Sequence, residues 1–278
     1  MNFPLHRRQI FRRYVALPQD HGSWVFLLSP LVIGIFAGGS ISVATGYLIV
    51  TSFAVFLIRQ PITILIKVYS GRRSKRELSA ALFWTFVYSL ITLLGLIGLI
   101  THGYTYLLYL AIPGLLVFAW YLWLVSRRAE RRQIGIEIVA SGVLALTAPA
   151  GYWVGVGWPD PLGWLLFILV WLQSAASIVY AYLRLDQRAL TSPPELKARL
   201  GMGRRALLYT TFNLLLVVTL VITGLLPTLL ILPYALQWGE TIWGTQRPAI
   251  GVKATKIGLR QLFVSILFTI LFIITWHI

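Results

Sequence analysis

The sequence predicts an all-α, polytopic transmembrane bundle of about nine helices, and three observations predict it. Of 278 residues, 58% are hydrophobic and 12% charged, where a soluble chain carries about 25% charged residues. Apolar runs recur to the last residue, each near the roughly 17–25 residues that a spanning helix needs. All 24 Lys and Arg residues fall in alternate connections between those runs. The first run is read as a retained span, because a signal peptide has one short apolar core followed by a cleavage site. A net charge of +16 suggests nucleic acid in a soluble protein. Here it follows the bias of Lys and Arg toward cytoplasmic loops, so no nucleic-acid partner is expected. With no cysteine, disulfides, thiolate metal sites and cysteine nucleophiles are excluded.

The predicted spans are about 22–39, 41–66, 78–100, 104–125, 134–156, 162–183, 206–224, 226–243 and 258–277. Gly and Pro clusters, which break helices, mark most boundaries: Gly38-Gly39, Gly103, Gly157 to Pro161, Pro193-Pro194, Gly224 to Pro227 and Gly244 to Gly251. Basic residues occupy the N-terminal tail (Arg7, Arg8, Arg12, Arg13) and the connections after spans two, four, six and eight. A miscounted span would break that alternation. The N-terminus is therefore expected in the cytoplasm and the C-terminus outside, with residues 1–20 as a cytoplasmic tail of a single domain, 1–278. Of the acids only Asp160 falls on the other side. Trp153, Trp158, Trp164 and Trp276 cluster near that face, as an interfacial aromatic belt does. The expected location is a bacterial plasma (inner) membrane.

Polar groups inside spans cost roughly 2.5–3.5 kcal/mol on insertion scales when ionisable, so they are expected to face a cavity or a partner. The stretch Pro18-Gln19-Asp20-His21-Gly22-Ser23-Trp24 opens the first span. Asp20 suits the helix N-cap, Gly22 admits another backbone, and Trp24 suits the interface. His21 is left over. An imidazole titrates near neutrality and suits proton transfer or a pH-dependent anion contact, so His21 and Asp20 are the catalytic candidates. Arg59 either lies about 10 Å inside the second span, if that helix continues to Ile66, or snorkels to the headgroups. Pro61 is expected to bend the helix there. Lys67 lies nearer the surface. Glu137 is expected to pair locally with Arg131 or Arg132. Ser174, Ser177, Ala181 and Arg184 form one small, polar stripe, fit either for helix packing or, with Arg184 and Asp186 at its foot, for a headgroup site. Asn213 is expected to make one interhelical hydrogen bond, and Gln237 and Glu240 share a face. Walker, GxGxxG, HExxH and nucleophile-elbow motifs are absent, and no metal ligands are assigned.

The stretch Pro18 to Trp24, followed by Gly34 and Gly38-Gly39, resembles the start of the bacterial YwiC-like membrane proteins. The likeness runs on through Arg127-Arg128 with Gly135 and the Ala148-Pro149 region. More distantly, the plan is similar to UbiA-type prenyltransferases: nine helices, N-terminus inside, long loops after helices two and six. In that superfamily Asp-rich motifs in the two loops hold Mg²⁺, whose charge stabilises a departing diphosphate. This chain departs there. Its first loop, Lys67 to Glu77, has only Glu77, and Ser177 to Arg188 has only Asp186. The resemblance thus implies a UbiA-like bundle, and Mg²⁺ enters only by fold analogy.

The expected function is a cytoplasm-facing pocket for an amphipathic lipid or isoprenoid with an anionic head. Arg59, Lys67 and Arg184 would neutralise the head, since Arg binds phosphate in bidentate fashion, with Asp186 beside them. Asp20 and His21 would orient it or move a proton. Catalysis and binding both stay open. A transporter is the alternative, although no inverted repeat is evident. A structural or assembly factor, whose basic loops bind anionic lipid or a protein, is a further one.

Overall fold

A computed structural model of the chain describes residues 12–18, 22–128 and 133–278, so Asp20 and His21 lie outside the described residues. Those residues form ten helices and no strands, apart from a helical turn at Arg13–Ala16 and three short 3-10 segments. The helices are α1 (Ser23–Ala37), α2 (Val43–Tyr69), α3 (Leu78–Thr101), α4 (Leu108–Ser126), α5 (Ile134–Ala145), α6 (Thr147–Val156), α7 (Pro161–Gln187), α8 (Leu196–Ile222), α9 (Ile231–Gln246) and α10 (Ala254–Trp276). Only helices satisfy every backbone group within one segment in hydrocarbon, which is why so apolar a chain takes this form. Helices α5 and α6 make one span with a break at Leu146, where Pro149 has no amide hydrogen to offer Ala145. Seven spans among the described residues are long and apolar enough to cross a membrane. Helix α1, at 15 residues, and α9, at 16, are shorter. This is a multi-pass integral membrane protein.

The nine predicted runs each find a helix, with shifted ends. The helical stretch of α2 runs on past Pro61 to Tyr69, so Arg59 lies within it and Lys67 in its last turn. Helix α8 starts at Leu196, ten residues before the predicted span, and takes Lys197, Arg199, Arg204 and Arg205 into its first turns. The long loop expected after the sixth span shrinks to the stretch 188–195. At the start of α7, Asp160 accepts a hydrogen bond from the Leu162 amide at 2.7 Å and Pro161 occupies the first turn, the usual cap chemistry.

Helix α7 is the most enclosed span and packs against α1, α5, α6, α8, α9 and α10. Helix α2 packs chiefly on α3. The tightest pairing is α1 on α6, where two Gly-x-x-x-Gly patterns meet. A Cβ placed on Gly38 would lie 2.8 Å from Tyr152 O, and one on Gly155 would lie 2.7 Å from Gly38. Gly34 sits on the Ala148 backbone in the same way. Small residues allow such main-chain approach, and dispersion contacts then hold the helices where no hydrophobic effect acts.

The two ends of the bundle differ chemically. At one end lie the basic connections, tied inward by Arg72 to Val125 O, Arg188 to Val252 O and Arg199 to Gln246 O. At the other, Tyr104 and Tyr106 donate to Val154 O and Trp153 O, and Trp153 donates to Asp160 O. Rings of Trp153, Trp164, Phe167 and Trp171 follow in succession at 5.5–6.0 Å. His277 at the end of α10 approaches Phe36 O of α1 at 2.9 Å, so α1 and α10 run parallel.

Candidate functional site: a polar cavity between α7, α9 and α10

Along α7, Gln173, Ser177, Tyr180, Arg184 and Gln187 recur every three or four residues and so share one face. All five are buried. Opposite them, α9 brings Gln237, Glu240, Thr241 and Gly244, and α10 brings Gln261, Ser265 and Phe268. Ser177 donates to Gln261 Oε1 at 3.1 Å, Tyr180 to Glu240 Oε1 at 2.9 Å, and Gln237 Nε2 to Gln173 O at 3.0 Å. Gly244 makes the Tyr180 contact sterically feasible, since a Cβ there would meet the ring 2.7 Å away. The space left among these groups is about 10 Å³, the size of one water or one hydroxyl. Gln237 Oε1 is buried and has no hydrogen-bond partner among the described residues. Ser177 lies about 15 Å along the helix from Gln187, so the cavity is well inside the span.

Between the cavity and the basic end stands a layer of charge. Arg260 grips Glu240 through two bonds of 2.6 and 2.7 Å, the strong fork geometry. The Trp243 ring has the Arg260 guanidinium 3.6 Å from its centre and that of Arg184 at 5.4 Å. Arg184 Nη1 donates to Gln187 Oε1, Gly244 O and Arg247 O at 2.8, 2.6 and 2.7 Å. Two of these acceptors are carbonyls at the end of α9, which lack intrahelical donors and carry the negative end of the helix dipole. Arg184 therefore fastens the C-terminus of α9 to α7. Toward the other end, Tyr234, Phe268 and Phe272 close the space; all three are buried, and Tyr234 donates to Leu169 O at 3.1 Å.

A second concavity adjoins the first. An apolar groove of about 190 Å³ runs between α1 and α10, lined by Val25, Leu28, Val32, Leu262, Ile266 and Ile270. Ser29 and Thr269 form a hydroxyl pair within it at 2.5 Å. Ser265 lines both the groove and the polar cavity.

The residues singled out from sequence are spread through the fold. Arg59 is half-buried on α2, 5.6 Å from the Phe56 ring. Lys67 is half-buried two turns further along α2. Arg184 is buried beside the cavity and Asp186 is exposed; two residues apart, they leave the helix in different directions. Neither Arg59 nor Lys67 lines the polar cavity or the groove. Among the described residues no atom lies within 4 Å of a Cβ placed on Gly22, so none of them makes the close approach expected there. Trp24 packs on Phe53 and Phe56, at 6.2 and 5.0 Å. Glu137 accepts a bond from Tyr182 of α7 at 2.6 Å; the expected partners Arg131 and Arg132 lie outside the described residues. Asn213 makes its interhelical bond to Leu172 O at 2.9 Å. Gln237 and Glu240 do share a face, and it is the cavity face. Sequence reasoning passed over Gln173, Tyr180, Trp243, Gln261 and Ser265, although the three-and-four spacing through Gln173 and Tyr180 was there to be read.

Residues 17–152 match the YwiC-like protein family. The match covers just under half of the chain, from before α1 into α6, and the resemblance seen from Pro18 to Pro149 is borne out over that stretch. Gly34 and Ala148, both among the residues that carry it, touch each other in the fold. The YwiC-like segment thus spans α1 to α5 and ends within α6, while the polar cavity on α7, α9 and α10 lies beyond it. No curated protein and no solved structure matches the chain.

Proposed function

We propose that this protein binds an amphipathic lipid or isoprenoid from the cytoplasmic side of a bacterial plasma membrane. The chain of the ligand lies in the groove between α1 and α10, and its polar end enters the cavity between α7, α9 and α10. The observation that carries this reading is Ser265, which borders an apolar groove on one side and a buried, hydrogen-bonding cavity on the other. Apolar walls with a few convergent polar groups are the usual make-up of a small-molecule site. The basic connections support the cytoplasmic assignment of the end of the cavity where Arg184 and Arg260 flank one carboxylate, Glu240. The aromatic closure by Tyr234, Phe268 and Phe272 supports one-sided binding over a path through the membrane.

Native mass spectrometry of the detergent-purified protein tests this. Wild type is expected to retain a lipid at stoichiometric occupancy, and Ser265→Leu, which fills the junction, to lose it while keeping a cooperative unfolding transition. Identical lipid occupancy in folded Ser265→Leu removes the reading.

A further inference from the structure

We infer that the group seated in the polar cavity is an uncharged hydroxyl, so that the ligand is a hydroxyl-bearing lipid; this deepens the binding reading above and rests on it. The first support is Gln237. The side chain is only 6% exposed, and its orientation follows from its partner. The atom that meets the main-chain carbonyl of Gln173 at 3.0 Å must be the amide nitrogen, because an oxygen there would face another oxygen. That leaves Oε1 for the cavity that Gln237 lines, buried and without a partner among the described residues. A buried acceptor left unmade is costly, and it asks for a donor.

Three of the donors around the cavity are already engaged. The Ser177 hydroxyl is bonded to Gln261, the Tyr180 hydroxyl to Glu240, and the Arg260 guanidinium to both Glu240 oxygens. No described residue, the other lining groups included, donates to Gln237 Oε1, and a group seated in the cavity would supply the donor. Gln173 and Gln261 also bring amide N–H groups to it. A hydroxyl both donates and accepts, and so suits the whole set. An ammonium only donates, and it meets an unfavourable field, since Arg184 and Arg260 against Glu240 leave one net positive charge. A bare phosphate supplies only acceptors to an acceptor. Size agrees: the cavity's 10 Å³ admits one hydroxyl and little more.

Two sources carry that chemistry: a long-chain alcohol such as a polyprenol, and a glycerol-type phospholipid head, whose phosphate the net positive charge would also favour. Delipidated protein is titrated separately with a polyprenol, phosphatidylglycerol, phosphatidylethanolamine and phosphatidylcholine, and one-to-one adducts are read by native mass spectrometry. Polyprenol or phosphatidylglycerol is expected to bind about tenfold tighter than the other two, the value of roughly one hydrogen bond. Gln237→Met, close in volume, is expected to erase that preference. Ser265→Leu, which leaves the Gln237–Gln173 bond intact, is expected to abolish all adducts, and it serves if Gln237→Met does not fold. Preference for polyprenol assigns the free alcohol; preference for phosphatidylglycerol alone assigns the phosphoglycerol head. Equal affinity for all four lipids, or an unchanged preference in folded Gln237→Met, overturns the hydroxyl inference. If those adducts still vanish in Ser265→Leu, the binding site itself stands. Absence of any saturable adduct overturns both, with the cavity holding water only.

Discussion

Arg184 and Asp186 stand two positions apart on α7 and have opposite fates. The arginine is buried, with Nη1 shared among Gln187, Gly244 and Arg247; the aspartate is exposed. Hydrogen bonds from a charged donor are each worth about 1.5–3 kcal/mol, and deleting the donor leaves buried carbonyls bare. Arg184→Met is therefore expected to destabilise the protein by about 2–4 kcal/mol, seen as a lower thermal midpoint by circular dichroism in detergent. Asp186→Asn is expected to change it by no more than about 0.5 kcal/mol. At this scale the sequence was partly legible. An arginine near a span end marks a polar environment, and Asn213 and the Gln237–Glu240 pair announced themselves by type and spacing. The partners of Arg184 were hidden, because two of its three acceptors are main-chain carbonyls with no signature in residue identity. The cavity was hidden too. Gln173 and Gln261 carry no charge to attract notice, and Ser265 matters only because α1 passes on one side of it and α7 and α9 on the other.

For single elements, hydropathy located each run, and the ends were the weak point. Helix α8 shows why. Lys197, Arg199, Arg204 and Arg205 end the apolar run, but nothing in them ends a helix, so the backbone hydrogen bonding continues from Leu196. Apolarity marks where hydrocarbon stops, whereas helix ends are set by caps, Gly and Pro. The pairing of α1 with α6 depends instead on side chains that are missing. A larger residue at Gly34 must displace the Ala148 backbone, which is not a flexible chain end. Gly34→Leu is expected to cost about 1–3 kcal/mol or more, as overpacking does, and to lower the fraction of monodisperse protein in size-exclusion chromatography. Gly22→Ala, whose added Cβ meets no described atom within 4 Å, serves as the near-neutral comparison.

For the molecule as a whole, the alternation of charge foretold which connections would share an end, and the contacts at the two ends agree with it. The orientation follows as an expectation with a simple check, since the chain has no cysteine and a single introduced thiol reports alone. Leu225→Cys, exposed in the connection between α8 and α9, is expected to react with a membrane-impermeant maleimide on intact cells. Ser192→Cys, exposed between α7 and α8, is expected to react only after permeabilisation. The reverse pattern would invert the bundle and place the Arg184–Arg260 end of the cavity toward the outside.

The short helix α1 has a consequence for the surrounding bilayer. Helix α1, of 15 residues, rises about 22 Å, less than the roughly 30 Å of a typical hydrocarbon core, whereas α9 reaches about 30 Å with the 3-10 turn Thr228–Leu230 that leads into it. Both pack against α10, the helix that carries Ser265. Local thinning of the membrane is one way such a mismatch is relieved, and it is the response expected beside α1. On the lipid-binding proposal, a headgroup would then reach further into the protein here than beside the 27-residue helices α2, α7 and α8. The same proposal makes acyl-chain length in the host membrane a control on access, with thicker bilayers expected to hold headgroups further from the groove.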